Sequence, residues 1–254
     1  MSGYSAFARY YDELTANIDY KKRGEYFHSI IQRFKTTKEN ILLDLACGTG
    51  SISEVMAGLG YDVIGVDNSD EMLGIALDKK FDSGLDIQYL CQDMTELDMY
   101  GTIGAAVCAL DSLNHLESAD DLRAVFERVA LFCDKDAVFL FDVNTVYKHE
   151  KVLADNTFVY ETDDVFCVWE NEYLGNGVTD IQLDFFERDG DIYRRSSDGF
   201  TETAYPRELT EQMLTDAGFE ICGVFEYPTG NEPTENSEKL TFAAKMTVPK
   251  NKYF

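Results

Sequence analysis

The chain carries two rhythms of hydrophobic and polar positions, and the change between them falls near residue 150. In the first, short apolar runs alternate with segments whose apolar residues recur at helical spacing. Tyr20, Phe27, Ile30, Ile31 and Phe34 mark an amphipathic helix. Asn40 to Ala46 is a nearly continuous apolar run, suited to a strand buried on both faces. Ser51-x-x-Glu54 has the form of a capping box, followed by an inward stripe of Ile52, Val55, Met56 and Leu59, with Gly60 as the stop. A second strand, Val63 to Val66, ends at Asp67. Asn68-x-x-Glu71 then opens a helix that turns Met72, Ile75 and Ala76 inward. Strands Ile87 to Cys91, Ile103 to Leu110 and Ala137 to Asp142 continue the series. A helix beginning at Ser118 lies before the last of these, with Leu122, Val125, Phe126 and Val129 as its core face. Strands alternating with helices of this length predict right-handed crossovers and a parallel sheet covered on both faces.

From residue 150 the segments shorten and alternate without helices: Phe158 to Tyr160, Val165 to Trp169, Val178 to Phe186 and Ile192 to Arg195. Gly175-Asn176-Gly177 and Asp189-Gly190 supply hairpin turns. The first rhythm returns at Pro206, read as a first helical residue, with Leu209, Met213, Leu214 and Ala217 inward and Gly218 as the stop. Ile221 to Tyr227 and Leu240 to Thr247 are the final strands, the last pairing antiparallel. The expected fold is α/β: a Rossmann-like doubly wound sheet, mostly parallel with an antiparallel last strand, carrying a small inserted antiparallel sheet. The expected division is residues 1–149 with an N-terminal helical lid, an inserted cap over 150–205, and a return to the first unit over 206–254.

Composition narrows the function. Hydrophobic residues at 45% and charged residues at 27% are ordinary globular usage. Asp and Glu outnumber Lys and Arg by 47 to 22, so a field of net charge −25 opposes a polyphosphate partner and nucleic acid is not expected. Lys21-Lys22-Arg23, Lys79-Lys80 and Arg194-Arg195 are too short to form a basic groove and read as solvated faces. Six cysteines without a C-x-x-C pair read as small buried thiols, and no metal site is expected. No apolar run approaches the ~18 residues of a membrane span. Met-Ser-Gly-Tyr-Ser has no basic segment leading into an apolar one. A cytoplasmic protein is the expectation.

The chemistry concentrates at strand ends. Leu43-Asp44-Leu45-Ala46-Cys47-Gly48-Thr49-Gly50 joins a strand to a helix, and glycine there lets the backbone turn and approach a ligand. Gly48-x-Gly50-x-x-Ser53 is also a degraded dinucleotide fingerprint, with serine in the third glycine's place, which keeps an NAD-dependent oxidoreductase as an alternative. Asp44 inside an apolar strand needs hydrogen bonds or a cation. Asp67 is placed for ribose hydroxyls and Asp93 for the amine of adenine, with Met72 and Met94 available to flank the ring.

Taken together, these residues resemble the class I S-adenosylmethionine-dependent methyltransferases. Leu42 to Gly50 is similar to their first motif, Val63 to Asp67 to their acidic ribose-binding strand end, and Gln92-Asp93-Met94 to their adenine motif. Ala46 departs from the glycine that many members carry. The segment Tyr4-x-x-Phe7-Ala8-x-x-Tyr11-Asp12 with Asp19-Tyr20 resembles the lid of small-molecule N-methyltransferases, including sugar N-methyltransferases, and the inserted sheet resembles their substrate cap. The resemblance implies an S-adenosyl-L-methionine site made by Tyr11, Tyr20, Asp44, Ala46, Gly48, Gly50, Asp67, Asn68, Met72, Gln92, Asp93, Met94 and Leu110. It implies methyl transfer to a small-molecule acceptor by in-line displacement. His115 or Tyr11 is the candidate for removing a proton, although His115 also reads as a loop residue and Tyr11 as packing for the first helix. Trp169 reads first as an anchor of the inserted sheet. A neutral or amine-bearing acceptor is expected, with Arg194 and Arg195 the residues that would admit a carboxylate. A cofactor-binding regulatory or scaffold protein without transfer activity remains the alternative from another class.

Overall fold

In the computed structural model, which describes residues 5–249, the first rhythm builds a seven-stranded sheet and the second a separate four-stranded one. Helices α1 (Ser5–Leu14) and α2 (Tyr20–Phe34) lead to β1 (Ile41–Leu45), followed by α3 (Ser51–Gly58), β2 (Asp62–Asp67), α4 (Asp70–Ser83), β3 (Ile87–Cys91) and β4 (Ile103–Cys108). α5 (Ala119–Phe132) runs directly into β5 (Cys133–Asn144). Strands β6 (Thr157–Glu161), β7 (Val165–Gly175), β8 (Val178–Asp189) and β9 (Ile192–Thr203) form the antiparallel sheet. α6 (Arg207–Ala217), β10 (Phe219–Glu226) and β11 (Lys239–Met246) complete the chain.

The large sheet has the order β10-β11-β5-β4-β1-β2-β3. Strands β1 to β5 pair in parallel, and β11 is antiparallel to both β5 and β10. Chain order reverses between β1 and β4, so the crevice beyond their carboxyl ends is where a ligand is expected in a sheet of this kind. Both faces are covered, as the continuous apolar runs require. Leu43, Leu45 and Phe139 pack with α5 and α6 on one side. Leu42, Leu140 and Val107 pack with α2 and α3 on the other.

Several element ends differ from the sequence expectation, each for a local reason. Gly50, at φ 77°, takes the N-cap of α3, so Ser51 is already helical and no capping box forms; its hydroxyl instead meets Lys79 Nζ at 2.9 Å. Ser69, not Asn68, caps α4, its hydroxyl accepting from the Met72 amide at 3.2 Å. Pro206 is the N-cap of α6 rather than its first residue, and the buried stripe is Thr210, Met213, Leu214 and Ala217, which leaves Leu209 exposed. Leu59 lies past the end of α3 and is also exposed. Of the six cysteines, Cys91 is exposed and Cys222 half-buried; the other four are buried, and none forms a disulfide.

The small sheet is longer-stranded than its apolar segments suggested, because β8 and β9 pair over their whole lengths. Its inner face, with Val165, Cys167, Ile181, Leu183 and Phe185, shares a core with Phe7, Ala8 and Met72. Helix α1 therefore lies between the small sheet and α4. Tyr10 stacks on Phe185 at 6.3 Å, and the Tyr10 hydroxyl donates to Glu187 at 2.8 Å. That placement brings the N-terminal segment over the crevice. Among the described residues no helix is long and apolar enough to cross a membrane.

Candidate active site

The turn after β1 is built from left-handed residues: Ala46 at φ 55°, Gly48 at 53° and Gly50 at 77°. The two glycines do different work. A Cβ on Gly48 would meet nothing within 4 Å, so its backbone faces open space. A Cβ on Gly50 would lie 2.3 Å from the Tyr89 hydroxyl, so this glycine lets Tyr89 pack beneath the turn. Gly50→Ala is expected to destabilise the fold by about 1–2 kcal/mol from conformation alone, with the Tyr89 contact adding to it. Denaturant titration checks this, and a loss below ~0.5 kcal/mol would contradict it. Ala46 holds a conformation that glycine adopts without cost, which accounts for the glycine its resemblance led one to expect there.

Asp67, at the end of β2, anchors the turn: its Oδ2 accepts from the Gly48 amide at 2.8 Å and its Oδ1 from the Ser69 amide at 2.9 Å. Burial raises its pKa, with those amides opposing. Asp44 is buried and accepts from the Ser53 hydroxyl at 2.5 Å. Burial pushes its pKa up to about 7, and among the described residues no basic side chain pairs with it. The serine at the third fingerprint position is thus the partner of this carboxylate, an arrangement with no counterpart in a glycine turn.

A cleft of about 130 Å3 gathers Tyr11, Ala46, Gly48, Asp67, Asn68, Met72, Met94, Leu110 and His115. A narrower recess of about 30 Å3 beside it holds Tyr20 and Asp44 together with Tyr11. Gly50, Gln92 and Asp93 do not line either one. Gln92 brackets the backbone of Asp98 through Nε2 at 3.0 Å and Oε1 at 2.9 Å. Asp93 caps the short turn Met94–Glu96, accepting from the Thr95 amide at 2.8 Å, and so presents Met94 to the cleft. Tyr4 lies outside the described residues.

Through Phe7, Tyr11, Leu110 and His115 the cleft adjoins a second cavity of about 280 Å3. Tyr160, Trp169 and Phe200 give it an aromatic wall, while Arg23, Asp111, Lys148, Glu202 and Lys239 supply charge. Leu110 at φ 61° and Asp111 at φ 57° are consecutive left-handed residues, a strained pair held from several sides. The Asp111 amide donates to Asp142 Oδ1 at 2.8 Å, its Oδ2 accepts from Asn144 at 2.5 Å, and Lys239 pairs with its Oδ1. Burial opposes ionisation of Asp111, but Lys239 and Lys148 outweigh it and hold the carboxyl well below its usual range. Arg23 pairs with Asp142 at 2.7 Å, both buried, and its guanidinium lies 4.3 Å from the Tyr227 ring centre.

Glu202, on β9, sits between two histidines: His115 Nε2 is 3.8 Å from one oxygen and His149 Nε2 is 3.6 Å from the other. Burial, then Asp111, pushes the Glu202 pKa up to about 7. Burial lowers the pKa of His115 against the pull of Asp111 and Asp67, and lowers that of His149 to about 4. His115 Nδ1 is enclosed and has no hydrogen-bond partner among the described residues. Burial also holds the Tyr11 phenol well above its ordinary pKa, which keeps it a neutral hydroxyl at physiological pH.

One expectation changes, and two residues or pairs with double readings find their place. Arg23 is not on a solvated face: its position on α2 turns it inward onto Asp142. Arg194 and Arg195 do not reach the cavity, being paired on the surface with Asp189 and Asp184. Trp169 packs against the core of the small sheet, as read, and also lines the cavity, its indole N–H donating to Asn171 at 2.7 Å. Sequence reading did not single out Arg23, Lys148, Glu202 and Lys239, which line the larger cavity. Asp111 and Asp142 were visible only as polar ends of apolar strands.

A family model described as a methyltransferase domain matches residues 42–135. YqeM of Bacillus subtilis (strain 168), whose name carries an inferred methyltransferase activity, is 33% identical over 96% of this chain and 97% of its own. The crystal structure of an S-adenosylmethionine-dependent methyltransferase from Clostridium acetobutylicum superimposes with a TM-score of 0.86 at 32% identity, covering 96% of this chain and 99% of that one. The sugar N-methyltransferase KedS8 from Streptoalloteichus superimposes at 0.78 with 19% identity, over 92% and 90% of the two chains, a likeness of fold.

Proposed function

The chain belongs to the S-adenosylmethionine-dependent methyltransferases, and from that premise we propose that it transfers the methyl group in line to a small-molecule acceptor seated in the 280 Å3 cavity. The observation that carries this reading is the adjacency of two unlike spaces sharing Tyr11, Leu110 and His115. The cleft suits the cofactor: Gly48 opens its backbone to it, Asp67 offers a carboxylate, and Met72, Met94 and Leu110 offer apolar surface. When bound, S-adenosyl-L-methionine supplies a methyl group already activated on a sulfonium.

The chain's own residues hold and align. Asp67 and Asn68 take the ribose, Met72 and Met94 flank the adenine, and Gln92 and Asp93 act by fixing Met94. Ala46, Gly48 and Gly50 shape the turn, while Tyr11, Tyr20 and Asp44 close on the methionine end. Alignment of two reactants can supply ~7–11 kcal/mol, so no strong base is required. The His115 ring, which borders both spaces, takes the acceptor's proton, with Glu202 3.8 Å from its Nε2. Tyr11, kept neutral, serves as a hydrogen-bonding hydroxyl. Residues 150–205 act as the substrate-side cap on a cofactor-binding unit of residues 1–149 and 206–254. The protein works in the cytoplasm on a metabolite and not on nucleic acid, in keeping with its net charge of −25.

Transfer from labelled S-adenosylmethionine to a panel of small amines, phenols and carboxylates, beside RNA and DNA, tests the reading; robust methylation of nucleic acid overturns it. A scaffold protein would bind the cofactor and transfer to none of them.

The pH profile provides a second check. His115 accepts a proton only when neutral, and its pKa lies below the ordinary 6.5 because burial outweighs Asp111 and Asp67. The neutral fraction therefore stays high above pH 6.5 and falls as pH drops through the lowered pKa. Since Glu202, with a pKa of about 7, also faces the ring, His115→Gln is the control. It should lower kcat by ~10²-fold and remove the acid limb. An acid limb that survives in the variant would assign the proton transfer elsewhere.

A further inference from the structure

The cavity beside His115 holds a positive charge that the protein does not pair at short range. Arg23 is paired to Asp142 at 2.7 Å and Lys239 to Asp111. Lys148, on the turn that follows β5, lies within 4.0 Å of no carboxylate among the described residues; its ammonium donates to the Asn144 side-chain oxygen at 2.9 Å. Burial lowers its pKa, with Asp111 and Glu202 opposing and Lys239 adding to the effect. An ammonium in that position is one to which an incoming anion is worth more than at the surface, where water already solvates the charge. Tyr160, Trp169 and Phe200 line the same cavity, with Trp169 6.2 Å from each of the other two ring centres.

We infer that the methyl acceptor is a small molecule with a flat apolar body and one carboxylate, and that Lys148 recognises the carboxylate while the aromatic wall takes the body. This rests on the reading that places the acceptor in this cavity. The protein's strong negative field argues against a polyanion but not against a single carboxylate drawn to one buried ammonium. Asp111 and Glu202 sharpen the distinction, because a second negative charge on the acceptor would approach one or the other. The amine or hydroxyl to be methylated lies at the His115 side, where the two spaces meet.

Trp169 is the chain's single tryptophan and lines the cavity, so its fluorescence reports occupancy. The experiment titrates phenylacetate, phenylacetamide and phenethylamine, which share one body, into protein saturated with S-adenosylhomocysteine. Binding of that cofactor product is measured by calorimetry on the same preparation. Phenylacetate is expected to quench saturably and to bind roughly tenfold or more tightly than the other two. Lys148→Met should remove that preference while leaving phenylacetamide and S-adenosylhomocysteine affinities in place, and Lys148→Arg should retain it. Equal binding of the three probes, tighter binding of the amine, no saturable response to phenylacetate, or an unchanged preference in Lys148→Met overturns the inference. Failure of S-adenosylhomocysteine to bind the wild-type protein overturns the cofactor reading beneath it, so the two failures are distinct.

Discussion

Replacing Arg23 with methionine should destabilise the protein by about 3–5 kcal/mol, the cost of leaving a buried carboxylate without its partner. For a chain of this size that is a fall in Tm of roughly 6–20 °C. Asp142 has no solvent exposure and Arg23 almost none, so water cannot replace the lost guanidinium. Lys239, at 3.8 Å from the other Asp142 oxygen, is already engaged with Asp111 and compensates only in part. Arg23→Met combined with Asp142→Asn should recover much of the loss, because the amide keeps an oxygen for the Asp111 N–H and removes the stranded charge. Calorimetric unfolding of the single and double variants is the measurement. A single variant within about 1 kcal/mol of wild type, or a double variant less stable than the single one, would contradict the account.

Asp67→Ala should weaken S-adenosylhomocysteine binding by about 1.5–3 kcal/mol, or ~10- to 150-fold in Kd. The carboxylate has two tasks. It fixes the glycine turn through the Gly48 and Ser69 amides, and it lines the cleft in which the proposed function places the ribose. Asp67→Asn should fall between alanine and wild type, since it keeps one acceptor oxygen. Unchanged affinity in the alanine variant would remove Asp67 from the site.

The strand and helix series and the position of the crevice were legible because buried parallel strands leave continuous apolar runs, and because a residue such as Asp67 stands out at the end of one. The residues that line the smaller cleft lie close to strand ends in sequence, so their grouping could be read for the same reason. The two glycines of the first turn were read alike, and only the packing of Tyr89 against Gly50 separates them. The larger cavity beside that cleft was far less legible. Arg23, Lys148, Glu202 and Lys239 come from α2, the turn after β5, β9 and the start of β11, and no local pattern links positions so distant in sequence. Arg23 sits in a basic triplet whose other members face water, so composition pointed to the surface while helical phase turned it inward. Arg194 and Arg195 do lie on a solvated face, as read, because β8 offers them Asp189 and Asp184 there.

The central claim is that the cleft over Gly48 holds the cofactor and opens at His115 into the acceptor cavity. A crystal structure with S-adenosylhomocysteine tests it most directly. The account predicts ligand density over Gly48, the ribose hydroxyls on Asp67, the adenine between Met72 and Met94, and the sulfur turned toward the space bounded by His115, Trp169 and Lys148. Density in the separate hollow of about 530 Å3 between Val143, Pro206 and Pro233, or a sulfur turned away from that space, would contradict it.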